Sequence, residues 1–325
     1  MAIFLLRFDF RNPEFAGTTM ADRYAAGLDM CELGDRLGFF SVILSEHHGS
    51  DDGYLPSPLP MAAAVAARTS RMRINVSLAV APFYDPIRLA EDASVIDNLA
   101  GGRLQLTLGA GYLQHEFDLY GVPMEERTAR MLRALEVLQG LNSGEPFEVD
   151  GRKVSIRPLP ARGRGVRLDL GASTEAGARR AARLGVGLNP ATPDVWEFYR
   201  DELVASGQPD PGPYLGGKTI YTHVAEEVEQ GWGEILPFAR HDHNSYADWA
   251  AEAGRAGRRV DTVEELREHG QYRVVTPDEL VTELAADPFG VCILHPLLGG
   301  LPPEIGWRSL RLVEEQVMPR LAAES

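Results

Sequence analysis

Eight short apolar runs alternate with helical patterns along the chain, and no stretch repeats another. The first run is followed by Arg7-Phe8-Asp9-Phe10-Arg11-Asn12-Pro13, not by a G-x-G-x-x-G turn. These observations predict the α/β class, as a closed (β/α)8 barrel rather than an open doubly wound sheet. The 325 residues suit one such barrel of about 250 residues with insertions.

The elements follow in order. Ile3–Phe8 reads as a strand apolar on both faces, as a buried parallel strand must be. Thr18 or Thr19 caps a helix running to about Leu37. Phe40–Leu44 is the second strand and Ser57–Arg68 the second helix. Ile74–Val80 and Arg103–Leu108 are strands three and four, followed by helices over Pro86–Leu99 and Glu125–Leu141. Asp150-Gly151 between two β-prone runs signals a hairpin, so residues 143–165 read as a surface insertion. Arg167–Leu170, Val186–Leu188, Thr219–Val224 and Val291–His295 complete the eight strands, with helices over Thr174–Leu184, Asp194–Ser206 and Glu304–Leu321. The interval 225–288 is too long for an ordinary connection. It carries Trp232, Phe238, Tyr246, Trp249 and His241-Asp242-His243, and reads as a lid-like insertion over the barrel mouth whose aromatics help set substrate choice. The whole chain is thus expected to be one TIM-barrel domain.

Composition bounds the function. Hydrophobic residues make up 44 % and charged residues 24 %, ordinary globular proportions. A formal net charge of −15 argues against nucleic acid as a partner. Lys153 and Lys218 are the only lysines, and the Arg and Ala excess suggests a GC-rich genome. No run reaches the roughly 18 apolar residues of a membrane span, and the start lacks the marks of a signal peptide. A cytoplasmic protein is expected, with Cys31 and Cys292 as buried thiols.

In a barrel, chemistry sits at the C-terminal ends of the strands. Strand two ends in Ser45-Glu46-His47-His48. A histidine beside a carboxylate suits a general base, with His47 as the base and Glu46 as the group that orients it. The competing reading is a hydrogen-bonded rim histidine. A metal site would need His241, His243 and His295 as further ligands, and the spacing of metal hydrolases is missing, so no metal is expected. Gly109-Ala110-Gly111-Tyr112 puts small residues where either a flat ligand or tight strand–helix packing would want them. Gly171-Ala172-Ser173-Thr174 opens a helix and offers either an anion site or a plain cap, with Arg127 as the side-chain counter-charge. The helices 57–68 and 86–99 carry many small apolar residues, Met61 to Ala67 and Leu89 to Ile96, more than one inward stripe needs.

Several of these motifs stand in a familiar order. Glu46-His47-His48, Gly53-Tyr54-Leu55-Pro56-Ser57-Pro58, Ala81-Pro82-Phe83-Tyr84-Asp85-Pro86, Asp97, Gly102-Arg103, Gly109-Ala110-Gly111-Tyr112, Glu116-Phe117, Tyr120-Gly121 and Glu126-Arg127 resemble the bacterial luciferase-like flavin-dependent monooxygenases. The similarity is dense over 1–142, thinner over 167–200 and vague from 201 to 290. It implies a (β/α)8 barrel with reduced flavin at the C-terminal mouth. His47 matches the family's catalytic histidine. Ser77-Leu78 matches a non-prolyl cis peptide that supports the isoalloxazine ring. Ser173 and Arg127 match phosphate contacts. Ala110 stands where luciferase itself has an arginine, which leaves room for the deazaflavin-dependent branch.

The resemblance therefore implies a monooxygenase using reduced FMN and O2 on a small organic substrate. The alternatives are a deazaflavin-dependent dehydrogenase or reductase and a non-catalytic flavin-binding barrel. A separate flavin reductase and a homodimer through helices 57–68 and 86–99 are the implied partners.

Overall fold

The computed structural model describes residues 2–323 except 164, 215, 217, 218, 288 and 289, and the side chain of 162 is also left aside. Lys218, Arg164 in the first expected insertion and Pro288 at the end of the second lie outside the described residues. Two compact units emerge: one holds Met1–Ile43, His48–Pro56 and Lys218–Ser325, the other Leu44–His47 and Ser57–Gly217.

In the first unit, four parallel strands lie side by side in the order Tyr272–Val275, Tyr221–Val224, Val291–Leu294, Ile3–Phe8. Phe4 stacks on Phe39, and Leu6 lies against Gly34 of the helix Met20–Leu37. Alternation then puts Leu5, Arg7 and Asp9 on the opposite face. The helix starts where expected, because the Thr19 hydroxyl accepts the Asp22 N–H, and it stops at Gly38 in the left-handed region. In the second unit the parallel order is Arg73–Val80, Leu104–Gly109, Arg167–Ala172, Gly187–Pro190. The hairpin Phe147–Val149 and Arg152–Val154 turns at Asp150 (φ 49°) and Gly151 (φ 70°).

One strand was not anticipated. The interval 225–288 contains the helices Val228–Glu252, Val263–His269 and Pro277–Ala286 and, within them, the sheet strand Tyr272–Val275. A four-residue run with Arg273 inside it has too little apolar period to be read as a buried strand. The two capping boxes, Thr262 with Glu265 and Thr276 with Glu279, were the available signal. This interval is therefore partly sheet, not wholly an appendage.

The small apolar residues of the two expected interface helices are mostly consumed within the second unit. Met61, Ala62, Ala66, Leu89, Ala90, Ala93 and Ile96 are buried, whereas Val95 and Leu99 remain exposed.

Candidate functional site

The second unit gathers most of the expected site. Leu44–His47 continues the strand Ser41–Leu44 past its end. His47 Nδ1 lies 2.8 Å from Glu116 Oε1, with side chains 11 % and 1 % exposed. Glu116 belongs to the short helix Gln114–Tyr120, just beyond the strand Leu104–Gly109. A buried carboxylate on Nδ1 favours the proton on that nitrogen and places the lone pair on Nε2. The Tyr112 ring meets the imidazole edge-on at 5.8 Å.

The carboxylate that meets His47 Nδ1 is Glu116, and Glu46 has partners at the end of the neighbouring strand. Its Oε2 accepts the Val80 backbone N–H at 2.9 Å and its Oε1 accepts the Tyr84 hydroxyl at 3.0 Å. Burial and the Glu46 carboxylate push the Tyr84 phenol well above its ordinary range, so it remains a donor. Glu46 thus ties the 45–47 segment to the end of the neighbouring strand.

The Ser77-Leu78 peptide is cis, and the strand register skips a residue between Ser77 and Ala79. Leu78 is 37 % exposed. It lies over two glycines: a Cβ at Gly109 would come 2.9 Å from Leu78 Cδ1, and one at Gly171 would come 2.6 Å from Cδ2. At Gly111 (φ +72°) a Cβ would meet Phe117 at 2.9 Å. Tight packing therefore accounts for Gly109 and Gly111, with Leu78 forming the partly exposed surface above the strand ends. Asn189 Nδ2 donates to Ser77 Oγ at 2.9 Å from the next strand but two.

Ala110, Gly111 and Tyr112 are half-buried, as are Gly171 and Ala172, and Ser173 and Thr174 are exposed. Thr174 caps the helix Glu175–Arg183, its hydroxyl accepting the Gly177 N–H at 3.2 Å. Among the described residues, Ser173 has no hydrogen-bond partner and Arg127 no ion-pair partner. Glu126 pairs with Arg130 at 2.9 Å instead of Arg127. These features fit a flavin: an apolar platform at Leu78, a free hydroxyl at a helix start and an uncommitted guanidinium.

The first unit holds a second cluster that the sequence reading passed over. Arg11 donates to Asp52 at 2.5 Å, lies 3.3 Å from Asp242, and sits 4.6 to 5.4 Å from the ring centres of Trp249, Tyr54 and Tyr246. Arg7 Nη2 donates to the hydroxyls of Tyr54 (3.3 Å) and Tyr246 (3.0 Å) and the guanidinium covers the Tyr221 ring at 4.8 Å. Burial alone would raise the Asp9 carboxyl, but His295, Arg7 and Arg11 hold it well below the usual range. The histidines weighed as metal ligands are engaged separately. His241 meets Asp52 at 2.7 Å, His243 the Arg258 carbonyl at 2.8 Å, and His295 lies 3.4 Å from Asp9. Among the described residues no three candidate ligands are grouped as a metal site, and no helix is long and apolar enough to cross a membrane.

Known proteins give this geometry a context. The family described as luciferase-like monooxygenase matches residues 4–290. A crystal structure of the monooxygenase RslO1 from Streptomyces bottropensis superposes with a TM-score of 0.75 and 25 % identity, over 98 % of this chain and 99 % of that one. The fold is thus the expected α/β one, and its structural neighbours are luciferase-like TIM-barrel monooxygenases. The 4-hydroxyprotoasukamycin monooxygenase of Streptomyces nodosus subsp. asukaensis is 27 % identical over 69 % of this chain and 64 % of its own. The flavin-dependent trigonelline monooxygenase, oxygenase component, of Acinetobacter baylyi is 27 % identical over 44 % and 41 %. The F420-dependent glucose-6-phosphate dehydrogenase of Beutenbergia cavernae is 31 % identical over 53 % and 54 %. The chain spans about half the length of the curated relatives it matches, 40 %, 44 % and 64 % for three of them.

Proposed function

Because the chain belongs to the luciferase-like monooxygenase family, we propose that it is a flavin-dependent monooxygenase that uses reduced FMN and O2 on a small organic substrate. The observation that carries this reading is the His47–Glu116 pair at 2.8 Å in the unit that also holds Leu78, Arg127 and Ser173. Reduced flavin, when bound, supplies the electrons and activates dioxygen. Leu78 is the platform for the ring, with Gly109, Ala110, Gly111 and Tyr112 lining the adjoining strand end. Gly171, Ala172, Ser173 and Thr174 offer the helix start and its hydroxyl to the phosphate, and Arg127 adds the charge. His47 moves a proton at Nε2, and Glu116 holds the ring in the tautomer that allows it. Glu46 anchors the backbone beside His47 through Val80 and Tyr84.

The oxygenase-component relative supports a separate reductase that delivers reduced flavin. The exposed Val95 and Leu99 support a homodimer through that helix face, and a monomer mass by sedimentation at micromolar concentration would overturn it. A second reading, hydride transfer with a deazaflavin, draws on the F420-dependent relative and on Ala110. Parallel titrations with FMN and F420 separate the two. FMN binding, with turnover of reduced FMN and O2 falling roughly 10²–10⁴-fold in His47→Ala at nearly constant flavin affinity, is the expected result. Binding of F420 alone would move the chain to hydride transfer, and binding of neither would sink both readings.

A further inference from the structure

The first unit contains a buried ion pair whose facing atoms are not hydrogen-bonded. Arg7 Nη1 lies 3.8 Å from Asp9 Oδ2, and neither atom has a hydrogen-bond partner. His295 Nε2 lies 3.4 Å from the same oxygen, and both of its ring nitrogens are likewise unpartnered. The side chains of Arg7, Asp9 and His295 are 9 %, 0 % and 1 % exposed. Buried polar atoms without a hydrogen-bond partner are costly, so the arrangement calls for a further partner.

We infer that this gap receives a hydroxyl group of the organic substrate, an alcohol or phenol that accepts from Arg7 Nη1 and donates to Asp9 Oδ2. An oxygen about 2.8 Å from each atom can straddle a gap of this width. A hydroxyl satisfies both sides, because it is donor and acceptor at once. A carbonyl oxygen would satisfy Arg7 and leave Asp9 bare. A carboxylate is rejected twice. Asp9 repels it, and both forks of the guanidinium use Nη2, which is committed to the hydroxyls of Tyr54 and Tyr246. The walls are aromatic: Tyr221 lies under Arg7 and edge-on to His295 at 5.2 Å, and Tyr246 meets Trp249 at 5.2 Å. Tyr246 is half-buried on the helix Val228–Glu252, so the cluster is not wholly sealed from solvent. Naming the ligand as substrate rests on the function proposed above; the hydroxyl preference does not.

The test is calorimetric titration of the full chain, without flavin, with phenol, acetophenone and benzoate. Phenol is expected to bind about tenfold or more tightly than either of the others. Asp9→Asn sharpens the test. The Arg11 backbone N–H donates to Asp9 Oδ1 at 3.1 Å, which keeps the amide oxygen there and turns the new NH2 into the gap. The variant then presents donors on both sides, and the preference should invert towards acetophenone. Should the variant fail to fold, the wild-type ranking decides alone. Phenol binding no tighter than acetophenone, or no phenol binding up to millimolar concentration because the gap takes water only, would overturn the inference. FMN titration of the same preparation separates the two claims. Phenol preference without FMN binding sinks the flavin reading alone, and FMN binding without phenol preference sinks this one alone.

Discussion

Glu116→Gln isolates what the buried carboxylate contributes at His47. The amide is nearly isosteric and can still accept from Nδ1, so the change removes charge and little else. The bond is 2.8 Å long, and the Glu116 side chain is 1 % exposed, so solvent does not compensate. A charge-assisted hydrogen bond is worth about 1.5–3 kcal/mol and a neutral one about 0.5–1.5 kcal/mol. The difference, about 1–2 kcal/mol, corresponds to a roughly 5–30-fold fall in turnover. Glu116 acts through His47, so it is a positioning residue, and the assay must show that route. Turnover of reduced FMN with O2 is measured by stopped-flow in wild type, Glu116→Gln, His47→Ala and the double variant. Turnover should fall with FMN affinity unchanged, and Glu116→Gln should cost nothing further once His47 is gone. Two independent, additive losses would refute the reasoning.

Arg127→Ala should raise the FMN dissociation constant about tenfold or more, read by flavin fluorescence, and an unchanged constant would place the phosphate elsewhere. Gly171→Ala should displace Leu78, because the new methyl would lie 2.6 Å from its Cδ2. FMN affinity should fall roughly tenfold, at a cost of about 1–3 kcal/mol in stability measured by urea unfolding; wild-type affinity would remove Leu78 from the flavin platform. His223 predicts the acid limb of stability. Burial pushes its imidazole down from 6.5 to about 4, so the unfolded chain binds the proton first. Stability should be intact above pH 6.5 and fall by about 3 kcal/mol as the pH drops through 4, and His223→Leu should flatten that slope in urea unfolding; an unaltered slope in the variant would assign the loss to other groups.

The strand Ile3–Phe8 was legible to the residue because an apolar run buried on both faces leaves no ambiguity of period. Tyr272–Val275 was not, because it is short and holds Arg273, whose Nε donates to Thr222 Oγ1 on the paired strand. The site divides in the same way. His47 follows a strand end, and strand ends are where a barrel keeps its chemistry. Its partner Glu116 is separated from it by 69 residues, and nothing local marks the pair. Adjacency pointed to Glu46, whereas the carboxylate on His47 Nδ1 comes from a distant helix.

A period of two in the sequence carries the signal for the other cluster. In Arg7-Phe8-Asp9-Phe10-Arg11, charged and aromatic residues alternate at the end of an apolar strand. All three charges are buried: Arg7, Asp9 and Arg11 are each at most 8 % exposed. Buried ions persist only when partners come with them. Asp52 and Tyr54 arrive from the loop after the second strand, His241, Asp242 and Tyr246 from the helix Val228–Glu252, and His295 from the end of the strand Val291–Leu294. Three segments distant in sequence are thereby required at one place by the charges of five consecutive residues. Around Arg11 stand two carboxylates and three rings, and around Arg7 the hydroxyls of Tyr54 and Tyr246 on the Nη2 side. Arg7 Nη1 and Asp9 Oδ2 form an ion pair at 3.8 Å with no hydrogen bond to either atom, and a bound hydroxyl supplies the partner that both lack.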